Sequence, residues 1–298
     1  MQLAGYAGTG TLAIMNWPRG MQAERLENGQ HDAERDVDPP QHEDEPQGPG
    51  ETEIIVESLS NGWSAQAGNT ALVLARLGQN AGFEPPTPED ERAPYGRYWN
   101  RPIIGRDSPI DGGVYIGRKP REAIVVDMSQ PGPVREVYET WLKQIQQLAP
   151  VWPWQHTENG QRRAVRKYLN THLPQLVRAL VVRELPFDRT VVAKVAQEHT
   201  LGPDDKVRLD VYLRRHGGVC RHQVCLIGAL LERLIHEGWL EGAVSIDRKF
   251  VPKQYSHAWV RWTTANGKAW IFDAAQDIWT RLDDCEPERR WFYARENE

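Results

Sequence analysis

The stretch GGVCRHQVCLIGALLERLIHEG, residues 217–238, decides the fold of this chain. Gly217 and Gly218 separate this stretch from the preceding segment. Gly238 marks its end, because glycine commonly follows the last turn of a helix. The apolar side chains between them cover more than one face of a helix with 3.6 residues per turn. They are Leu226, Ile227, Leu230, Leu231, Leu234 and Ile235. The pattern predicts a central, buried helix.

Three segments with the composition of strands follow the predicted helix. They read GAVSIDRKF (242–250), HAWVRWT (257–263) and KAWIFD (268–273). An Asn-Gly turn signal joins the last two, which is typical of a β-hairpin. One buried helix followed by an antiparallel sheet predicts an α+β fold in which the helix packs on the sheet.

Cys220 lies in the first turn of the predicted helix, directly after a glycine pair and Val219. Unpaired backbone N–H groups and the helix dipole at this position favour the thiolate over the thiol. Gly218 would leave room for a substrate chain to approach the sulfur. The ordinary alternative for a cysteine is a small buried apolar residue. Cys225, inside the apolar run, is a good candidate for that role.

A nucleophilic thiol needs a base, and the base needs an acceptor that orients it. His257 begins one predicted strand and Asp273 ends the next. A two-residue Asn266–Gly267 turn would place the two side chains on opposite faces of the hairpin. A three-residue Ala265–Gly267 loop with a bulge at the glycine would place them on the same face. We therefore predict the three-residue loop and a Cys-His-Asp triad.

The segments GGVCRHQ, SHAWV and WIFDAAQ, in this order, resemble the transglutaminase-like superfamily and its bacterial members. The resemblance covers about residues 186–282, roughly a third of the chain. It implies a papain-like α+β core with Cys220 as the nucleophile. His257 would be the general base and then the acid, and Asp273 would orient its imidazole.

The resemblance also implies a cysteine-nucleophile enzyme that acts on amide bonds through a thioester and needs no cofactor. Peptidase, amidase or deamidase, and protein-glutamine acyltransferase activities are open. Arg221 follows the nucleophile where animal transglutaminases have Trp, and no calcium loop of the D-x-[DN]-x-[DN]-G type is present in the sequence. Both departures favour a hydrolase over calcium-activated crosslinking. The alternative is a catalytically inactive transglutaminase-like interaction module, although all three triad residues are present.

Candidate substrate-binding residues surround the predicted triad. Trp259 shares the predicted face with His257 and is expected to wall the cleft. Arg221 is expected to contact substrate, with a salt bridge as the equally good alternative. For the second oxyanion donor, beside the backbone N–H of Cys220, Gln197 and Tyr212 are candidates by position only.

Cys and His residues cluster in the helix segment, so a zinc site is an alternative to the triad. At 100° per residue, Cys220 and Cys225 lie about 140° apart, and His222 lies nearly opposite Cys220. With His236 as the fourth residue, the set cannot converge on one ion without unwinding the helix. We therefore predict no metal site.

The first part of the chain has a different composition. Between Gly29 and Thr52 eight acidic residues stand against one Arg. We predict a mostly disordered acidic segment over residues 1–52, a small mixed region of uncertain fold over 53–130, and the catalytic domain over 131–298. In the mixed region we expect a strand at 53–60, a helix at 71–78 and a hairpin formed by 112–118 and 122–127.

Further helices are predicted in the third region. Pro133 stands at a typical first helical position. A second helix is expected over about 162–182, with an interruption near Pro174. A third is expected over 204–215.

Composition bounds the function classes. The 298 residues are 40% hydrophobic and 26% charged, with three cysteines and a net charge of −5. We expect no membrane span, because no apolar run approaches about 20 residues. We expect no nucleic-acid partner, because no concentrated basic patch stands out. The cysteine count and the lack of a signal-like start favour a cytoplasmic protein. The resemblance to the transglutaminase-like superfamily implies a protein or peptide substrate. Signal-independent export as an effector is left open, and the oligomeric state is not predicted.

Overall fold

The computed structural model of the protein describes residues 73–149, 157–251, 255–295 and 298. All of them belong to one compact unit, Gly48–Glu298. The acidic segment predicted at 1–52 and the strand predicted at 53–60 lie outside the described residues.

The helices are α1 (Pro133–Leu148), α2 (Glu158–Glu184), α3 (Arg189–Glu198), α4 (Leu209–Arg214), α5 (Cys220–His236) and α6 (Pro287–Tyr293). The strands are β1 (Phe83–Glu84), β2 (Arg97–Tyr98), β3 (Arg101–Pro102), β4 (Val114–Tyr115), β5 (Ala123–Val125), β6 (Lys206–Arg208), β7 (Ala243–Val251), β8 (Tyr255–Thr263), β9 (Ala269–Asp273) and β10 (Ile278–Arg281). Residues 73–77 are also helical, within the range predicted.

The strands form three sheets in the described part of the chain. β1, β2 and β3 form a small antiparallel sheet, and β4, β5 and β6 form a second sheet that is mixed, because β5 pairs antiparallel with β4 and parallel with β6. The largest sheet has the order β10-β9-β8-β7 and is antiparallel throughout. β10, which the sequence does not predict, adds a fourth strand at one edge of this sheet. The α+β class is confirmed.

Helix α5 has the central position that its apolar sequence predicts. Its C-terminus is closed at Gly238, whose φ of +75° suits a glycine. The N–H of Gly238 donates to the carbonyl of Ile235 at 3.0 Å, and that of Trp239 donates to Leu234 at 2.8 Å. This pair of bonds is the Schellman arrangement, which satisfies carbonyls at the helix end.

One face of the largest sheet packs on α5. Leu226 and Leu230 of the helix share a core cluster with Ile246, Val260 and Phe272 of the sheet. The two layers approach closely at Gly228, where an added Cβ would lie 3.3 Å from the Ile246 side chain. Burial of these apolar side chains on both layers is the main favourable term that holds helix and sheet together.

The register of the β8–β9 hairpin is the one predicted. Val260 pairs with Phe272 and Thr263 with Ala269. The N–H of Thr264 donates to the carbonyl of Lys268 at 2.9 Å, which closes a three-residue loop. Gly267 ends that loop with a φ of +81°, as a bulge glycine does.

The helices predicted over about 162–182 and 204–215 are both present, but each differs from its prediction in one respect. α2 runs without interruption through Pro174, which is buried in its interior. Packing of this face against the core outweighs the hydrogen bond that a proline cannot donate. The helix predicted over 204–215 begins only at Leu209, because Lys206–Arg208 pairs in parallel with β5.

The predicted hairpin of the mixed region is confirmed, since β4 and β5 pair antiparallel. β5 also pairs with β6, and this contact crosses the boundary expected at residue 130. Arg76 makes a salt bridge of 2.7 Å to Asp204 across the same boundary. The segments on its two sides therefore fold together as one unit, which corrects the separation into 53–130 and 131–298.

Candidate active site

The start of α5 is fixed by its own first residues. The Nδ1 atom of His222 accepts a hydrogen bond from the backbone N–H of Val219 at 3.0 Å. Val219 is the N-cap, so Cys220 is the first residue of the helix. Its backbone N–H therefore has no acceptor within the helix.

The glycine pair before Cys220 is required for packing. A Cβ on Gly217 would lie 2.7 Å from Val191, and one on Gly218 would lie 2.8 Å from His222. The N–H of Gly218 donates to Pro186 at 3.0 Å, and its carbonyl accepts from Asp188 at 2.6 Å. Gly218 therefore packs closely against His222 with both of its peptide groups hydrogen-bonded, and its role toward a substrate stays a prediction.

Cys220 is partly exposed, unlike the buried Cys225. Burial opposes ionisation of the Cys220 thiol, but a side-chain hydrogen bond and the positive charge of His257 lower its pKa overall. The nearby Arg221 guanidinium and a hydrogen bond from the Arg221 backbone N–H act in the same direction. The surroundings of this sulfur therefore favour the thiolate.

His257 joins the thiol to a buried carboxylate. Its Nε2 atom lies 2.6 Å from Oδ2 of Asp273, which leaves Nδ1 for the interaction with Cys220. Burial lowers the pKa of His257, yet the hydrogen bonds and charges of Asp273 and Cys220 raise it to about 9. Asp273 is only 1% exposed, so its charge acts with little screening by water. The three residues predicted from the sequence are thus brought together.

Asp273 has two further partners that the sequence does not indicate. The hydroxyl of Tyr293 in α6 donates to the same Oδ2 atom at 2.7 Å. The backbone N–H of Gln276 donates to Oδ1 at 3.1 Å. Gln276 lies inside the WIFDAAQ segment, but no pattern ties Asp273 to a tyrosine 20 residues further on.

Trp259 does not wall a cleft, which corrects the expectation that it would. It does share a strand face with His257, but it is fully buried. Its ring meets that of Tyr293 edge-on at 5.0 Å and lies 5.3 Å from that of Phe292. Helix α6 covers this face of the sheet, so Trp259 belongs to a second core beneath the helix.

Arg221 is also engaged within the protein, in the salt bridge that the sequence left as the alternative. Its guanidinium contacts both carboxylate oxygens of Glu122 at 2.9 and 3.1 Å. The Nε2 atom of His222 lies 2.9 Å from the same carboxylate. The three side chains are buried or nearly so, at 10%, 8% and 0% exposure. The cluster ties the first turn of α5 to the start of β5, so contact with substrate is not supported for Arg221.

Burial shapes the ionisation of this cluster. Burial raises the pKa of Glu122, but hydrogen bonds and charges from His222 and Arg221 bring it down to about 2. Desolvation lowers the pKa of His222 to about 4. His222 is therefore neutral at pH 7, with Nδ1 as the acceptor for Val219 and Nε2 facing the Glu122 carboxylate.

The two candidates for the second oxyanion donor lie in different surroundings. Tyr212 is buried, with its ring 3.8 Å from that of His222, and Gln197 is exposed on α3. Of the residues weighed for zinc, Cys225 is buried and His236 is exposed. Within the described ranges, no three His, Cys, Asp or Glu side chains are grouped so as to hold a metal ion.

None of the helices in the described ranges combines the length and apolar character that crossing a membrane requires. Comparison of the chain with family models, with curated proteins and with solved structures finds no match.

Proposed function

We propose that the protein is a cysteine-nucleophile enzyme that cleaves or transfers the acyl group of an amide through a thioester. One observation carries the proposal: a partly exposed sulfur at a helix start interacts with an imidazole that a buried carboxylate holds at 2.6 Å. Nucleophile, base and orienting acceptor are the parts that such catalysis requires.

In the first half of the reaction, the thiolate of Cys220 attacks the amide carbonyl carbon and a C–S bond forms. The backbone N–H of Cys220 is free to donate to the oxyanion that develops. As the intermediate collapses, the C–N bond breaks and the protonated His257 donates its proton to the departing amine. An acyl thioester on Cys220 remains, and His257 is neutral.

In the second half, His257 takes a proton from water or from an amine, which then attacks the thioester carbonyl. The C–S bond breaks and the sulfur leaves as a thiolate, so the starting ion pair is restored. Asp273 keeps the imidazole oriented throughout and stabilises its charged form. Water as the acceptor gives a peptidase, amidase or deamidase, and an amine gives an acyltransferase.

The GGVCRHQ, SHAWV and WIFDAAQ segments support assignment of this core to the transglutaminase-like, papain-like type. We propose a protein or peptide as the acyl donor and the cytoplasm as the place of action. The alternative, an inactive interaction module of the same type, would keep the fold without an activated thiol.

The test uses the full chain with a mixed protein substrate and an added primary amine, read by mass spectrometry. Deamidation (about +1 Da on a glutamine), amine incorporation and backbone cleavage separate the three activities. Cys220→Ala should abolish whichever product appears. Cys285→Ser is the matched control, because this partly exposed thiol stands outside the triad and burial raises its pKa.

Two results would contradict the proposal. One is a product that forms equally with Cys220→Ala. The other is a Cys220 thiol that alkylates at pH 6–7 no faster than an ordinary cysteine. The second result would favour the interaction module.

A further inference from the structure

We propose that Tyr293 is a positioning residue that sets the proton affinity of His257 by sharing the carboxylate oxygen of Asp273. The inference rests on the proposed function, and it assigns a role in the site to the C-terminal helix α6.

Two hydrogen-bonding groups, one from His257 and one from Tyr293, meet the same carboxylate oxygen of Asp273. Oδ2 of Asp273 lies 2.6 Å from Nε2 of His257 and accepts the Tyr293 hydroxyl at 2.7 Å. Asp273 and Tyr293 are 1% and 2% exposed, so water does not compete freely for this oxygen. A charge-assisted hydrogen bond in such surroundings is short and strong.

Tyr293 acts as a neutral donor. Burial and the neighbouring Asp273 carboxylate raise the pKa of the phenol, so it keeps its proton at any pH at which the enzyme would work. Its O–H draws part of the negative charge of Oδ2 away from the imidazolium. The hydroxyl therefore makes His257 a better acid toward the leaving amine than Asp273 alone would allow.

Contacts on either side of Tyr293 hold it in place. Lys249 Nζ donates to the carbonyl of Trp291 at 2.8 Å. The Arg295 guanidinium makes salt bridges to Asp107 at 2.9 Å and to Asp247 at 2.8 Å. Asp247 is buried in β7, so the segment that carries the hydroxyl is tied to the same sheet as the triad.

The test is Tyr293→Phe in the full chain, which removes one oxygen and keeps the ring against Trp259. The alkylation rate of Cys220 by iodoacetamide is followed from pH 4 to 10, beside an NMR titration of His257. The higher-pH step of this alkylation profile, at which His257 loses its proton, should move up by about half a pH unit. This shift corresponds to an increase of about threefold in the proton affinity of His257. Turnover of an amide substrate should fall several-fold with little change in KM.

Tyr138→Phe is the matched control. Tyr138 is also buried and its hydroxyl also donates to a carboxylate, Glu237, at 2.6 Å. The Tyr138→Phe variant should be destabilised to a similar degree, but its pH profile of Cys220 alkylation should match that of wild type. A Tyr293→Phe profile identical to wild type, or an upper step that moves down, overturns the inference. The NMR titration reports on His257 without any substrate, so it decides the role of Tyr293 even if no turnover is found.

Discussion

His257 and Asp273 are 16 residues apart in the sequence, and Nε2 of the first lies 2.6 Å from Oδ2 of the second. They occupy adjacent strands, β8 and β9, whose register is set by the loop that ends at Gly267. A shift of one residue would turn Asp273 to the opposite face of the sheet. The geometry of the candidate triad therefore depends on a single bulged turn.

The first prediction concerns the charge of Asp273. Asp273→Asn keeps the shape of the side chain but removes the charge that raises the pKa of His257. We expect turnover to fall by about 10²- to 10⁴-fold, with little loss of folded protein. The fall in turnover is measured by steady-state kinetics with the substrate that mass spectrometry identifies. Asp283→Asn, at an exposed position, is the control, and near-wild-type turnover of Asp273→Asn would remove Asp273 from the mechanism.

The second prediction concerns the thiol. Because the pKa of Cys220 is lowered and that of Cys285 is raised, Cys220 stays ionised to lower pH. At pH 6.5 we expect Cys220 to alkylate about tenfold faster or more than Cys285 in the same molecule. Peptide mass spectrometry after short exposure to iodoacetamide gives both rates. His257→Gln should remove most of the difference, and equal rates in wild type would argue against an activated thiol.

The third prediction concerns acid stability. The pKa of His222 is about 4 in the folded protein, below the ordinary value of 6.5. The unfolded chain therefore takes up this proton first, and stability should fall as the pH drops from 6.5 toward 4. The His222 contribution amounts to about 2 kcal/mol by pH 5. Urea unfolding of wild type and of His222→Gln, compared at pH 7 and pH 5, isolates it.

The choice of glutamine is specific. Its carbonyl can accept from Val219 and its amide can face Glu122, as the two nitrogens of the neutral imidazole do, but it does not titrate. His222→Gln should therefore lose less stability than wild type between pH 7 and pH 5. His199→Gln, at an exposed position after α3, should behave as wild type. If His222→Gln loses as much stability as wild type between pH 7 and pH 5, His222 does not cause the loss.

The fourth prediction concerns the pair of Glu122 and Arg221. Glu122→Leu leaves the Arg221 charge largely buried without its partner, and we expect a loss of about 3 kcal/mol. Adding Arg221→Met should restore part of that stability. Chemical denaturation of the single and double variants measures the coupling. The exposed pair Arg135–Glu139 is the comparison, where we expect less than about 1 kcal/mol. A double variant less stable than Glu122→Leu would contradict this interpretation.

The sequence by itself determined the parts that depend on local patterns. The apolar run after Cys220 specifies a buried helix, and Gly238 specifies its end. The alternation in the three following segments and the Asn266–Gly267 turn signal specify a hairpin, and the requirement that His257 and Asp273 share one face selects its register. These features are encoded within a few residues of where they act, since helical period, strand alternation and turn geometry are all local properties.

Only the tertiary structure decided what surrounds those parts. Glu122 meets Arg221 across 99 residues, and the Tyr293 hydroxyl reaches Asp273 from a helix in a different segment. The same helix buries Trp259, which the strand pattern alone would leave facing a cleft. Such contacts depend on how whole layers pack, and no local period records which distant side chain will fill a given space.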